Sequence, residues 1–295
     1  MAITAFFVRL RHAWEAELWR AGVLSLALVW IQTPRLIAEA QTTRELQFTN
    51  SAPYSSLAEM KRRFGFSEPG RDYRIADERF TMTVPSTYTT NAGWGLLVWV
   101  SPGSSAWLPE DWKPELAKSR LLLVSANNSG NDRDVRERLR LALDATFNAF
   151  RRYPVDRKRI YVGGMSGGAR VASELGVACA DLFTGTLCVC GVNFYTAIPT
   201  AKGMYYPADY QPEPRTLVLA KNHGRFVLLT GEFDSNRENT KDVLTKGFQA
   251  GGFKNVLYLE VAGMKHAMPG AGVLHTALEY LDGKAAGVTN APSGP

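Results

Sequence analysis

Apolar residues in this chain come in short unbroken runs separated by longer amphipathic stretches. Leu96–Val100, Leu121–Val124, Arg159–Val162, Phe226–Thr230 and Val256–Val261 read as buried strands. Thr186–Val192 reads as another, within an apparent strand Gly185–Val192, and Arg79–Val84 alternates as a half-buried strand before Pro85. Between them lie helical patterns. Asn131 or Asp132 is placed to cap the first, whose apolar face is Val135, Leu139, Ala142, Leu143, Thr146, Phe147 and Phe150. Arg133, Arg136, Glu137 and Arg140 lie largely off that face and read as a solvated side. Further helices are expected over 169–180, 238–250 and 271–282, and 194–224, rich in Pro, Tyr and Gly, reads as an excursion. Alternating buried strands and amphipathic helices predict an α/β architecture: a mostly parallel, doubly wound sheet flanked by helices.

The ends of the chain differ from this body. Arg9, Arg11 and Arg20 precede an apolar stretch, Ala21–Ile31, and Ala38-Glu39-Ala40 follows as a small-x-small cleavage pattern. Residues 1–40 therefore read as a secretory signal segment removed after Ala40, placing the protein outside the cell or in the periplasm. The apolar stretch is too short to span a bilayer comfortably, and no later segment reads as transmembrane. Residues 41–74 form a leader, 75–283 one catalytic domain, and 284–295 a flexible tail. The net charge of +6 arises from arginines scattered among carboxylates, which excludes a nucleic-acid partner. Cys179, Cys188 and Cys190 lie close in sequence, with Cys188 and Cys190 on one face of the apparent strand. One disulfide from Cys179, or three small buried side chains, are both open. No histidine stands near them at metal-ligand spacing.

The candidate chemistry sits just past the apolar runs. "YVGGMSGGAR", residues 161–170, places Ser166 in a G-x-S-x-G turn between a strand and a helix, the pattern of a nucleophile elbow. Its glycines are not spaced for a dinucleotide loop, and no Gly-Lys-Ser/Thr is present for a Walker loop. "GEFD" follows the strand Phe226–Thr230, and "AGMKH" follows Val256–Val261. Asp234 and His266 thus lie beyond strand ends, where active residues of parallel sheets gather. Of four histidines, His12 lies in the signal segment, His223 precedes its strand and His275 falls within the last helix. For the acid, Glu232 and Asp242 compete with Asp234. The proposed roles are Ser166 as nucleophile, His266 as base and Asp234 as the carboxylate that orients it. Oxyanion donors are expected at the N–H of Gly167 and, because Pro102 has none, at Gly103 or Ser104. This chemistry needs no cofactor and no metal.

The segments "RFTMTVPSTYTTNAGWGLLVWVSPG", "YPVDRKRIYVGGMSGGARVASELG", "VLLTGEFD" and "VAGMKHAMP" resemble α/β-hydrolase fold serine esterases over about residues 75–282. The similarity is greatest to the secreted group holding poly(3-hydroxybutyrate) depolymerases, feruloyl esterases and acetylxylan esterases. It implies the same catalytic triad, Gly167 and Gly103 as oxyanion donors, and an ester substrate that is a small molecule or is linked to carbohydrate or polyester. The chain departs from the family at Ser101-Pro102, where His-Gly is usual, and at "SANNSGND", where Asn127 or Asn128 either lines the site or closes a turn. Trp94, Trp107, Trp112, Tyr195, Tyr205 and Tyr206 either form an apolar or sugar-binding rim or anchor loops. Of these, Trp107 and Tyr195, with Asn128, are the substrate-binding candidates. A peptidase or amidase on the same fold, and a non-catalytic binding protein retaining it, are the competing readings.

Overall fold

The computed structural model describes residues 42–68 and 70–284. The expected signal segment and the tail from residue 285 lie outside them. The chain runs through β1 (Thr42–Leu46), α1 (Leu57–Phe64), β2 (Phe80–Val84), β3 (Gly95–Val100), α2 (Trp112–Lys118), β4 (Leu121–Ala126), α3 (Val135–Arg152), β5 (Ile160–Met165), α4 (Gly167–Ala178) and β6 (Gly185–Val189). A two-stranded ribbon, β7 (Ile198–Pro199) and β8 (Tyr205–Tyr206), interrupts the excursion. Then follow α5 (Pro214–His223), β9 (Arg225–Gly231), α6 (Arg237–Asp242) with a π-helical continuation over Val243–Gln249, β10 (Asn255–Val261) and α7 (Ala271–Leu281). The expected helix over 238–250 is thus two helical types in succession.

Among the described residues, eight strands form one sheet in the order β1-β2-β4-β3-β5-β6-β9-β10. The β1–β2 and β2–β4 pairs are antiparallel and all others are parallel. Side chains alternate between the two faces. Leu96, Val98, Val100, Ile160, Val162 and Leu228 enter a core with α1, α3 and α4. Leu97, Trp99, Tyr161, Leu187, Val227 and Leu229 enter a second core with α2 and α7. Coverage on both faces explains why these strands are unbroken apolar runs.

Several expectations are corrected by tertiary packing. Asp134, not Asn131 or Asp132, caps α3, its carboxylate accepting the Arg136 N–H. Arg133 and Arg140 do not lie on a solvated side, because segments preceding β2 lie across them. Arg140 donates to Ser55 O at 2.8 Å and to Asp72 at 2.7 Å, and Arg133 pairs with Glu78 at 2.6 Å. The leader is part of the same body, with Phe48, Met60 and Phe64 in its core. β6 ends at Val189, and Cys190 has a φ of +55°. That bend breaks the alternation, so Cys188 and Cys190 fall in opposite cores. All three cysteines are free and buried, which removes the disulfide. No helix among the described residues is long and apolar enough to cross a membrane.

Candidate active site

Ser166 lies between β5 and α4 with φ +55° and ψ −121°, a conformation that L-residues rarely adopt. Its neighbours hold it there. The Ser166 N–H donates to Val189 O of β6 at 2.8 Å, and Ser166 O accepts the Arg170 N–H at 3.2 Å. The helix start presses against β3, so a β-carbon at residue 168 would collide with the Val100 carbonyl. Glycine is required here by close approach, and the strained turn presents the half-buried serine at the carboxyl edge of the sheet.

Asp234 follows β9 and His266 follows β10. Asp234 Oδ1 lies 2.7 Å from His266 Nδ1. The aspartate side chain is wholly buried, whereas that of His266 is 35% exposed. Burial acts to raise the Asp234 pKa. The Asn236 N–H, the Thr230 hydroxyl, His266 and the Cys190 thiol all favour the carboxylate, and the net shift is downward. The carboxylate against Nδ1 places the proton there and leaves Nε2 as an acceptor. Glu232 has another task, accepting the Gly263 N–H at 2.9 Å, while Phe233 N–H reaches Met264 O at 2.9 Å. The acid and base loops are thereby stitched together. Asp242 pairs with Lys246 at 2.7 Å on the helix.

Cys190 Sγ, an Asp234 oxygen and a His266 nitrogen lie within 4.8 Å of one another. Burial and the nearby Asp234 push the Cys190 thiol up to about 12. The thiol keeps its proton and reaches Ala267 O at 3.4 Å, in the loop carrying His266.

The loop after β3 is held from behind. Arg138, buried on α3, donates from Nε to Ser129 O at 2.8 Å and from Nη2 to Ser101 O at 3.1 Å. The Asn128 N–H meets Ser104 O at 2.6 Å, and the Asn131 N–H meets Pro102 O at 2.9 Å. Gly103 and Ser104 are exposed, but the Gly103 N–H donates to Ser101 Oγ at 3.2 Å. One expected oxyanion donor is therefore engaged within its own loop. The side chain of Asn131 lies over Gly167, filling the space that a β-carbon there would occupy.

No protein-family model and no curated protein matches the chain. Solved structures match it in fold. A mutant of the feruloyl esterase module from Clostridium thermocellum, complexed with sinapinate, superposes with a TM-score of 0.55 at 14% identity, over 86% of this chain and 92% of that one. A thermophilic carboxylesterase cloned from a metagenomic library gives 0.51 at 19% identity, over 71% and 85%. The acylaminoacyl peptidase of Pyrococcus horikoshii gives 0.51 at 15% identity, over 82% of this chain and 40% of that one. The chain has the α/β-hydrolase fold.

Within this α/β-hydrolase fold the remaining candidates disperse. Asn128 is exposed with a φ of +52°, and its backbone closes the turn. Asn127 bonds Thr81 and Glu45 through its side chain. Trp107 is 63% exposed beyond the Ser101–Ser105 loop. Tyr195 packs on Phe194 and Phe253, the latter just before β10, and so lies toward the opposite sheet edge from Ser166. Trp94 and Trp112 are buried and belong to no rim. Two residues that touch the candidate oxyanion loops, Asn131 and Arg138, are not singled out as site residues by the sequence. Asn131 reads only as a cap, and Arg138 carries no motif. An arginine amid the buried positions of α3 was the available signal.

Proposed function

We propose that the protein is an exported serine hydrolase that cleaves carboxylic esters of small molecules through an acyl-enzyme. The observation that carries this reading is the 2.7 Å Asp234–His266 pair on the ends of β9 and β10, together with the strained turn of Ser166 at the end of β5 in the same sheet. In the first half-reaction, His266 Nε2 takes the Ser166 proton as Oγ bonds to the ester carbonyl carbon. The carbonyl oxygen becomes an oxyanion facing the Gly167 N–H, with the Asn131 amide and the Ser104 N–H as further donors. Collapse breaks the ester C–O bond, and His266 returns its proton to the leaving alcohol. Water, deprotonated by His266, then adds to the acyl carbon and releases the acid and Ser166.

Export is supported by the signal-like residues 1–40. Determining the N-terminus of the protein recovered from its expressing cells tests it: Gln41 is expected, and an intact residue 1 contradicts export. Amide hydrolysis uses the same groups, and the similarity to a peptidase structure keeps it as the second reading. Rates on matched p-nitrophenyl esters and p-nitroanilides decide between them. The ester reading predicts ester turnover at least a hundredfold faster.

A further inference from the structure

We propose that a cavity beside the nucleophile helix binds a free α-amino acid with an apolar side chain, as an effector separate from the substrate. The inference goes beyond the hydrolase reading, and its binding needs no turnover to be measured. The cavity, of about 220 Å³, lies between α4, the excursion after β6 and α6, and is lined by Arg170, Asn193, Phe194, Tyr206, Asp209 and Asn239, among others. No residue of the candidate triad or of the Ser101–Ser105 loop lines it, so its occupant is not part of a bound ester. The volume is below the roughly 300–1,000 Å³ of pockets that take drug-sized ligands, so it suits a ligand of one amino acid's size.

Two opposite charges select the ligand. Arg170 donates from Nη1 to Val192 O at 3.1 Å and Asn193 Oδ1 at 2.9 Å, and from Nη2 to Asn236 Oδ1 at 3.4 Å, all neutral oxygens. Burial works against both charges, lowering the Arg170 pKa and raising that of Asp209. Arg170 is the charge that acts on Asp209, and Asp209 leads those acting on Arg170, yet among the described residues the two form no salt bridge. A charge taken from water without a partner is costly. A lone anion would answer Arg170 and repel Asp209, and a lone cation would do the reverse. A zwitterion answers both.

Asn239 narrows the class to α-amino acids. It is 5% exposed, and neither its amide nitrogen nor its amide oxygen has a hydrogen-bond partner. Buried amides are ordinarily paired, so Asn239 calls for an acceptor and a donor side by side. A carboxylate and an ammonium on one carbon supply both. Phe194, Ile198 and Val243 form an apolar wall for the side chain. Glu174, one turn beyond Arg170, is wholly buried and accepts the Asn193 amide at 2.9 Å. Burial pushes its carboxyl to about 8, so it adds no charge near neutral pH.

Arg170 also ties the cavity to the acid loop. Its partner Asn236 donates its N–H to Asp234 Oδ1 at 3.0 Å and its Nδ2 to Cys190 O at 2.8 Å. A ligand carboxylate on the guanidinium competes with Asn236 for it. Occupancy therefore acts on a residue that supports Asp234, which makes the amino acid an effector.

The test is calorimetric titration of the wild type, Asn239→Leu and Asp209→Ala with L-leucine, N-acetyl-L-leucine and L-leucinamide. Asp209 is exposed, so Asp209→Ala keeps the test open if Asn239→Leu does not fold. The proposal expects a wild-type Kd for leucine at least tenfold below that of either singly charged analogue, and at least tenfold higher in each variant. No leucine binding to the wild type, equal affinity for all three compounds, or affinity unchanged in the variants overturns the site, whether or not an ester is hydrolysed. Saturating leucine is also expected to change wild-type kcat on p-nitrophenyl acetate at least twofold. Leucine bound with kcat unchanged overturns the effector role. Leucine bound by a protein that hydrolyses no ester upholds the site and removes the hydrolase.

Discussion

The side chain of Asn131 stands where a β-carbon on residue 167 would have to go, with its amide oxygen nearest that point and its amide nitrogen 3.0 Å from it. The relationship explains why residue 167 is glycine, and it brings a side-chain amide beside the residue whose N–H is expected to face the oxyanion. With the Gly103 N–H turned to Ser101 Oγ, Asn131 becomes the stronger side-chain candidate for that charge. Asn131→Ala is expected to lower kcat by about 10²–10³ with little change in KM, the effect of losing one such donor. Steady-state kinetics on a p-nitrophenyl ester reads this, and an unchanged kcat removes Asn131 from the mechanism.

Arg138 is expected to act through the backbone. Its guanidinium is the shared donor of the Ser101 and Ser129 carbonyls. Arg138→Met strips both carbonyls of a buried partner, at about 1–3 kcal/mol each. Urea unfolding should show a loss in that range or somewhat more, and kcat should fall as the loop loosens. Wild-type stability in Arg138→Met would contradict the role.

Glu174 gives stability a pH dependence of definite sign. Its folded pKa of about 8 lies above the ordinary value of 4.5, so the native state keeps a proton that the unfolded chain loses first. The contribution is full below pH 4.5 and declines as pH rises toward 8, by at most about 1.4 kcal/mol per pH unit. Glu174→Gln removes this slope. Unfolding free energies of the two proteins, measured from pH 5 to 8, should diverge in favour of Glu174→Gln as pH rises. Parallel curves would contradict a neutral Glu174.

Gly168 tests the elbow packing. Its missing β-carbon makes room for the Val100 carbonyl, so Gly168→Ala must displace α4 or β3. A loss of about 1–3 kcal/mol with a larger fall in kcat is expected, because the shift falls beside Ser166. Calorimetry and ester kinetics on the same preparation check it; a fully active, equally stable variant would contradict the close approach.

The sheet was legible because strands covered on both faces must be apolar at every position, and Leu96–Val100 and Leu121–Val124 show this directly. Ser166, Asp234 and His266 stood out because each follows such a run. What escaped was set by contacts distant in sequence. Arg133 and Arg140 read as solvent-facing because the segments that cover them, before β2, have no strong pattern of their own. Cys190 read as strand because nothing local announces its φ of +55°. Asn131 and Arg138 matter through carbonyls and a glycine on other elements, which composition and spacing do not encode. Tyr195 read as rim because aromatic loop residues look alike until their packing partners are known.

The most direct test of the central claim is hydrolysis of short- and medium-chain p-nitrophenyl esters by residues 41–295, wild type beside Ser166→Ala. Wild-type turnover that falls to the uncatalysed background in the folded Ser166→Ala protein is the predicted result. Turnover retained in Ser166→Ala, or none in a well-folded wild type on esters and aminoacyl amides alike, would contradict it.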